Sequence, residues 1–422
     1  MPNVNRWSAF WSISGAWRLD QENFFEFDNV DLFKLRASYG RLGNNSLGDI
    51  GYYPYQPGYE IGNNNAEAPG VFLESLGSPD LRWEGQKPLD LGLDFSFYNG
   101  RISGTFDYYR RESDGLLFSV RQPYHNGGTT SGSFSVYKNV GNMVNSGIEF
   151  TLRGNIINRD DLNWNMAFNV STLKNKITKM PEETPEIISS PYKREVGVSM
   201  YEYYTRTFHS VDPDNGRILY SGIEEGGYDA ANEDIKIVGS DTLTYDHNLA
   251  KRGYIGKSAL PKAYGSLINN FSYKNFDFEF VLMYSMGGYV IDSQYSTFMS
   301  AGPSNGANLH KDLLNGWRKP GDVTDIPRMD LNQTSAFGAA SDRFLTSSNY
   351  LSLSAVNFSY RLPERVANHV KLSGARIFLS AENLWFISKR KGLNTLSGFN
   401  SSPSTSGYTM PRTLNVGVNL SL

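Results

Sequence analysis

The sequence predicts an all-β protein that forms an antiparallel transmembrane β-barrel, and three observations support this prediction. Many segments alternate apolar and polar residues at strand length, the connections between them alternate between short and long, and aromatic residues and glycine are frequent. Of the 422 residues, 14% are aromatic and 41 are glycine. Outer-membrane barrels combine these features, because their strands face lipid on one side and a polar interior on the other.

The clearest strand lies at 89–97 (LDLGLDFSF), where leucine and phenylalanine take every second position. A period of two places these side chains on one face of a strand. The following Asn99-Gly100 predicts a tight hairpin turn, because both central residues of such a turn need a positive φ. The same alternation predicts further strands at 101–111, 148–156, 162–171, 276–284 and 414–422, and more weakly at 7–19, 31–41, 200–211, 262–273, 349–361 and 371–386. The total is about twelve strands, without long segments of helical periodicity.

The connections between these strands fall into two classes. Short turns are expected at 99–100, 158–161 and 274–275, and long loops at 43–84, 112–143, 221–261, 290–348 and 388–409. Outer-membrane barrels have short periplasmic turns and long extracellular loops. The strands run for about 9–14 residues, the length that crosses a bilayer at a tilt. A soluble glycan-binding β-protein, whose apolar face packs on a second sheet, remains the alternative.

Composition and spacing argue against several other classes of protein. The net charge of −3 does not favour nucleic-acid binding, and the chain contains no cysteine for disulfides or thiolate sites. No apolar run reaches about 18 residues, so no transmembrane helix is expected. The first ten residues lack the features of a signal peptide, so we expect a mature segment or a fragment of a longer chain.

The sequence shows no catalytic or metal-binding pattern. The five histidines are not spaced as metal ligands, so neither a metal, nor another cofactor, nor a catalytic residue is expected. The segment 212–216 (DPDNG) allows a calcium loop or a β-turn, and its residue types favour the turn.

One loop contains a candidate ligand-binding group. Tyr52, Tyr53, Tyr55 and Tyr59 lie within eight residues of a long loop (YYPYQPGY). Tyrosine rings offer apolar faces for stacking on sugar rings or peptide, together with hydroxyl groups for hydrogen bonds. Packing of this loop against a neighbouring loop or a partner protein is the alternative.

Seven stretches resemble, in order, the SusC/RagA-type TonB-dependent transporters. They include LFKLRASYGRLGN at 32–44, NVGNMVNSGIEF at 139–150 and MPRTLNVGVNLSL at 410–422; the others lie at 81–109, 317–329, 341–363 and 378–384. The resemblance covers nearly the whole chain. It implies a barrel of about 22 strands, of which residues 1–422 supply about the last twelve, with the plug and the N-terminal domains absent.

The resemblance also implies a function and partners. Such proteins are multi-pass β-barrels of the outer membrane, in contact with its lipid, that import oligosaccharides or oligopeptides beneath a SusD-like surface lipoprotein. TonB would supply energy through the missing plug region. An open sheet of about twelve strands has two unpaired edges, which lipid does not tolerate, so a fragment or one half of a split transporter is expected. A passive porin-like barrel or a non-functional truncated product is the alternative.

Overall fold

The computed structural model describes residues 2, 5–44, 53–61, 70–123, 128–129, 132–227, 229, 231–300, 308–330, 339–369, 371–396 and 410–421. They form two compact units. Unit 1 comprises Met1–Ile156, Ala167–Ile187 and Arg194–Met200, and unit 2 comprises Ile157–Met166, Ile188–Lys193 and Tyr201–Leu422.

Strands dominate both units. The first eleven are β1 (Trp11–Arg18), β2 (Val30–Asn44), β3 (Gly58–Ile61), β4 (Val71–Ser75), β5 (Glu84–Phe97), β6 (Ile102–Arg121), β7 (Gly128–Thr129), β8 (Gly132–Ser133), β9 (Ser135–Asn158), β10 (Leu162–Ser171) and β11 (Lys174–Lys179). The next eight are β12 (Glu186–Ser189), β13 (Tyr192–Glu195), β14 (Glu202–Arg206), β15 (Phe208–Val211), β16 (Ile218–Ser221), β17 (Ile235–Val238), β18 (Asp241–Thr244) and β19 (Arg252–Ser258). The last seven are β20 (Ala263–Tyr273), β21 (Phe276–Met286), β22 (Tyr289–Ile291), β23 (Leu345–Ser347), β24 (Tyr350–Arg361), β25 (Gly374–Ser388) and β26 (Thr413–Ser421).

Helices are short. The α-helices are α1 (Ser293–Met299) and α2 (Glu364–His369), and 3-10 turns occupy Leu19–Gln21, Lys311–Asn315 and Asp342–Phe344. Within the described ranges, no helix has the length and apolar character needed to span a membrane.

Long antiparallel strands form the main sheet of each unit. In unit 1 the order is β1-β2-β5-β6-β9, with β11 also pairing with β9. In unit 2 the order is β20-β21-β24-β25-β26. Strand β10 has residues in both units. With β10 and β11 included, the described part of the chain has twelve main-sheet strands. The all-β, antiparallel prediction is therefore confirmed.

The predicted alternation at 89–97 produces two chemically different faces. On one face the pairing runs from Ala37 through Leu91 and Tyr108 to Ile148, across β2, β5, β6 and β9. Leu91 remains 44% exposed and Ile148 41% exposed. A soluble sandwich would cover such side chains with a second sheet, whereas a membrane barrel turns them to lipid.

The short turns lie where the sequence predicts them. In the β5–β6 hairpin, Arg101 N donates to Tyr98 O at 3.3 Å, and the central Asn99 and Gly100 both have positive φ. The β9–β10 and β20–β21 connections are equally tight.

Two predictions need correction, one about a loop and one about a strand. The range 112–143 was expected to be a loop, but β6 continues to Arg121 and β9 begins at Ser135. These strands have 20 and 24 residues, more than the roughly 9–11 that a tilted strand needs to cross the bilayer. The strand expected at 200–211 is divided between β14 and β15, which belong to two small sheets instead.

The long connections of unit 2 have their own folded structure. In unit 2, β14 pairs with β19, and β15-β16-β18-β17 form a small four-stranded sheet. Apolar side chains form two small buried clusters there. One contains Met299, Leu313, Ile326 and Phe344, and the other contains Ile218, Tyr220 and Ala250. These loops are therefore packed platforms at the end of the strands opposite the short turns.

Candidate functional site

The face of the main sheet opposite the apolar one contains ion pairs. In unit 1, Arg36 of β2 donates from Nε to both oxygens of Asp94 on β5 at 2.9 Å, and from Nη2 to Asp107 Oδ1 on β6 at 2.8 Å. Lys34 Nζ lies 3.6 Å from Asp94 Oδ2. Charged groups at mid-strand are costly against lipid, so this face lines the barrel interior.

A glycine makes the longer of these contacts possible. Gly92 lies opposite both Arg36 and Asp107. A Cβ atom at Gly92 would come within 2.5 Å of Asp107 Oδ1 and 2.6 Å of Arg36 Cζ. The guanidinium therefore crosses β5 over the space that a side chain would fill.

Unit 2 has a matching polar group on the interior face of β20, β21 and β24. Asp277 accepts from Ser272 Oγ at 2.8 Å, from Ser359 Oγ at 3.3 Å and from Arg361 Nη2 at 3.1 Å. Beside it, Asn357 Nδ2 donates to Glu279 Oε1 at 2.8 Å. Such a surface can bind polar solutes or the polar surface of another protein segment by hydrogen bonds and charge.

The structure brings together only part of the predicted tyrosine group. Tyr52 lies outside the described residues. Tyr53 and Tyr55 share a turn, where Gln56 N donates to Tyr53 O at 3.0 Å, and their rings meet edge to face at 6.2 Å. Tyr59 lies on β3 opposite Leu73 and is 60% exposed, while Tyr53 is 66% exposed. Exposed rings on an outer loop are available for stacking on a ligand.

The segment 212–216 is a turn, as the residue types predicted. Gly216 N donates to Asp212 O at 2.8 Å, and Asp214 N donates to Asp212 Oδ1 at 3.0 Å. The ammonium of Lys236 lies 2.6 Å from Asp212 and 3.2 Å from Asp214. A lysine of the chain therefore holds the position next to these carboxylates that a bound cation would take.

The electrostatics of this turn depend on its partners. Burial of Asp212 acts to raise its pKa, but hydrogen bonds from Lys236 and from the Tyr245 hydroxyl outweigh that effect and hold the pKa below its usual range. The same ion pair raises the pKa of Lys236. Both groups are therefore charged at neutral pH.

Residues far along the chain dock on the same turn, and the sequence did not reveal this. Trp317 Nε1 and Gly321 N each donate to Pro213 O at 2.9 Å, and Arg328 Nη1 donates to Asn215 O at 3.0 Å. In the sequence, the stretch at 317–329 contributes only to the family resemblance. A tryptophan in a polar loop, beside Gly316 and two basic residues, is the signal in the sequence that could have indicated a fixed loop.

Comparisons with known proteins agree with this architecture. The family model for the TonB-dependent receptor-like β-barrel matches residues 2–384. TonB-dependent receptor SusC of Bacteroides thetaiotaomicron is 28% identical over 99% of this chain and 40% of its own length. TonB-dependent receptor P3 of Formosa agariphila is 27% identical over 99% of this chain and 42% of its own length.

A solved structure of the RagAB peptide transporter superposes with a TM-score of 0.82 at 25% identity, covering 99% of this chain and 44% of that one. The chain thus spans about two fifths of the length of the curated relatives it matches. Together with the exposed apolar face, these matches place the protein in the outer membrane and confirm the resemblance to SusC and RagA. The chain belongs to the TonB-dependent receptor-like β-barrel family.

Proposed function

We propose that this chain forms wall, lumen face and extracellular loops of an outer-membrane importer of oligosaccharides or oligopeptides that acts with a SusD-like lipoprotein and with TonB. The observation that carries the proposal is the pairing of a charged interior face with folded extracellular platforms. A passive channel needs a wet lumen, but it does not need loops with their own buried cores.

The interior face supports a role in a filled barrel. Arg36, Asp94 and Asp107 in unit 1 and Asp277 with Arg361 in unit 2 present hydrogen-bonding groups of both signs. A plug segment that packs on this face would satisfy its remaining donors and acceptors. TonB would then act on the plug rather than on the residues of this chain.

The partner lipoprotein would rest on the outer loops of unit 2. Leu314 is 70% exposed and Val323 is 95% exposed, and the residues that follow them are joined by a hydrogen bond from Thr324 Oγ1 to Asn315 O at 3.0 Å. Exposed apolar side chains on a loop fixed by hydrogen bonds would suit a contact with the lipoprotein.

The domain assignment is part of the same proposal. The outer strands β1 and β26 each pair on one side only in the described part of the chain. We infer that further strands cover these edges in the working barrel, because lipid leaves backbone groups unsatisfied. Residues 1–422 would then be the C-terminal portion of the wall.

Uptake by cells carrying the intact transporter tests this function. We expect accumulation of labelled oligosaccharide or oligopeptide that stops when the proton gradient is dissipated and when the lipoprotein gene is deleted. Uptake that continues without the gradient would favour the porin-like alternative. Single-channel recording of the purified protein separates the two further, since a plugged importer conducts little.

A further inference from the structure

A groove of about 740 Å³ runs over the apolar face of unit 1. Its floor follows one row of paired residues, from Gly15 through Ala37 and Leu91 to Tyr108. A Cβ atom at Gly15 would meet no other atom within 4 Å. The two small residues at the start of this row leave a depression between larger side chains.

The walls of the groove are apolar. Toward the short-turn end, the next row is formed by Trp17, Leu35, Leu93 and Phe106. Toward the long-loop end, Ile13 pairs with Tyr39. Tyrosine and tryptophan gather where a membrane meets water, so Tyr39 and Trp11 mark the outer interface of the bilayer here.

Cations lie just beyond the groove on the same face. Arg41 pairs with Trp11, Lys87 with Glu112, and Arg110 with Leu89. They lie two to four residues nearer to the long loops than the groove floor, or about 7–13 Å along the strands. Glu112 lies 3.2 Å from Arg110 and 3.8 Å from Lys87, and Asp114 lies 3.5 Å from Lys87. Three cations against two carboxylates leave a net positive patch.

We propose that this surface is a binding site for a phosphorylated glycolipid of the outer leaflet, of the lipid A class. An acyl chain would lie in the groove, and phosphate groups would contact Arg41, Lys87 and Arg110. Arginine and lysine bind phosphate through charge-assisted hydrogen bonds. The distance between the cations and the groove fits a single glycolipid whose headgroup lies in the interface and whose acyl chain lies in the membrane.

Two features favour a glycolipid over a smaller phospholipid. The cations lie on three neighbouring strands, so the patch is about 10 Å wide, enough for a headgroup with more than one phosphate. The patch also lies at the end of the strands that carries the long loops, which is the extracellular side in outer-membrane barrels. The proposal rests on the membrane location of the barrel and not on the import function.

Native mass spectrometry of the intact transporter in detergent tests the site, with hexa-acylated bis-phosphorylated lipid A as the added probe and phosphatidylglycerol as the comparison. One variant fills the groove (Gly15→Leu), and the open space at Gly15 accepts the new side chain without a clash. A second removes two charges (Arg41→Gln with Arg110→Gln). Control variants change an exposed residue on the apolar face of β26 (Val416→Leu) and an exposed loop cation (Lys391→Gln).

We expect both test variants to retain lipid A roughly tenfold less than the unmodified protein, while both controls retain it fully. Unchanged thermal unfolding of each variant would show that the barrel is intact. Undiminished retention by either test variant overturns the proposal. Equal retention of phosphatidylglycerol overturns the assignment to a glycolipid, and loss of lipid A from the controls shows that no specific site exists.

Discussion

The guanidinium of Arg36 reaches across a whole strand to Asp107, 2.8 Å away, because the residue between them is Gly92. This contact links β2 to β6, which share no backbone hydrogen bonds. The contact therefore ties three neighbouring strands together on the interior face.

A side chain at Gly92 should break this link. In Gly92→Val, the new atoms would displace Arg36 and Asp107, and we expect a loss of about 1–3 kcal/mol in the free energy of unfolding. Denaturant titration in detergent, followed by tryptophan fluorescence, measures it. Gly15→Val is the matched control, because Gly15 has open space at its Cβ. Equal midpoints for the two variants would contradict the assigned role.

The outer turn at 212–216 should depend on Lys236. In Lys236→Met, the fully buried Asp212 carboxylate loses its cation, and we expect a local loss of about 2–3 kcal/mol, below the range for fully buried pairs. Hydrogen exchange of β15–β18 measures this opening. Lys391→Met, on an exposed loop position, should exchange like the unmodified protein. Equal protection in both variants would exclude a stabilising role for the ion pair.

The same turn should respond to acid. Because the pKa of Asp212 is lowered in the folded protein, its contribution to stability is complete above the unfolded value of about 4 and is lost as the pH falls through the folded pKa. The fluorescence of Trp317, in a variant that retains only this tryptophan, measures the loss of structure in the turn as the pH falls. Asp212→Asn should flatten that acid response, and an unchanged response in Asp212→Asn would assign it to another group.

Gly216 should tolerate no side chain. It has a φ of +74°, and a Cβ atom would lie 2.5 Å from Trp317 Cδ2. Gly239 has a similar φ of +62° with nothing within 4 Å of its Cβ. Gly216→Ala should therefore cost more than the roughly 1–2 kcal/mol of backbone strain expected for Gly239→Ala. Comparison of the two unfolding midpoints isolates the contact with the indole ring.

The tyrosine group should affect uptake. Replacement of Tyr52, Tyr53, Tyr55 and Tyr59 by alanine in the intact transporter is expected to weaken substrate uptake roughly tenfold, because stacking contacts are lost. The single change Tyr98→Ala, in the short β5–β6 turn at the other end of the strands, is the control. Normal uptake by the fourfold variant at normal membrane levels would favour the packing alternative.

The sequence predicted the strands that have one wet and one apolar face. The alternation at 89–97 and 276–284 was sufficient, because lipid and lumen select opposite residue types. The ends of β6 and β9 were missed because the alternation is interrupted there, where Leu116, Leu117 and Phe118 follow one another without a polar residue between them. Register shifts near Ser113 and Leu116 weaken the pattern further.

The interior site could not be predicted in the same way. Arg36 and Asp107 are 71 positions apart in the chain, and only the strand register brings them together. The hydrogen bond from Trp317 to Pro213 also joins residues far apart in the chain, 104 positions from each other. The residue types predicted a β-turn at 212–216, but they did not predict that Lys236 would pair with the Asp212 carboxylate.

Because Lys236 is part of the polypeptide, the cation beside Asp212 cannot be stripped away by a chelator or diluted out. The outer platform should therefore keep its shape where dissolved calcium is scarce or sequestered, as among acidic polysaccharides. This turn can thus keep its shape without depending on the mineral content of its surroundings.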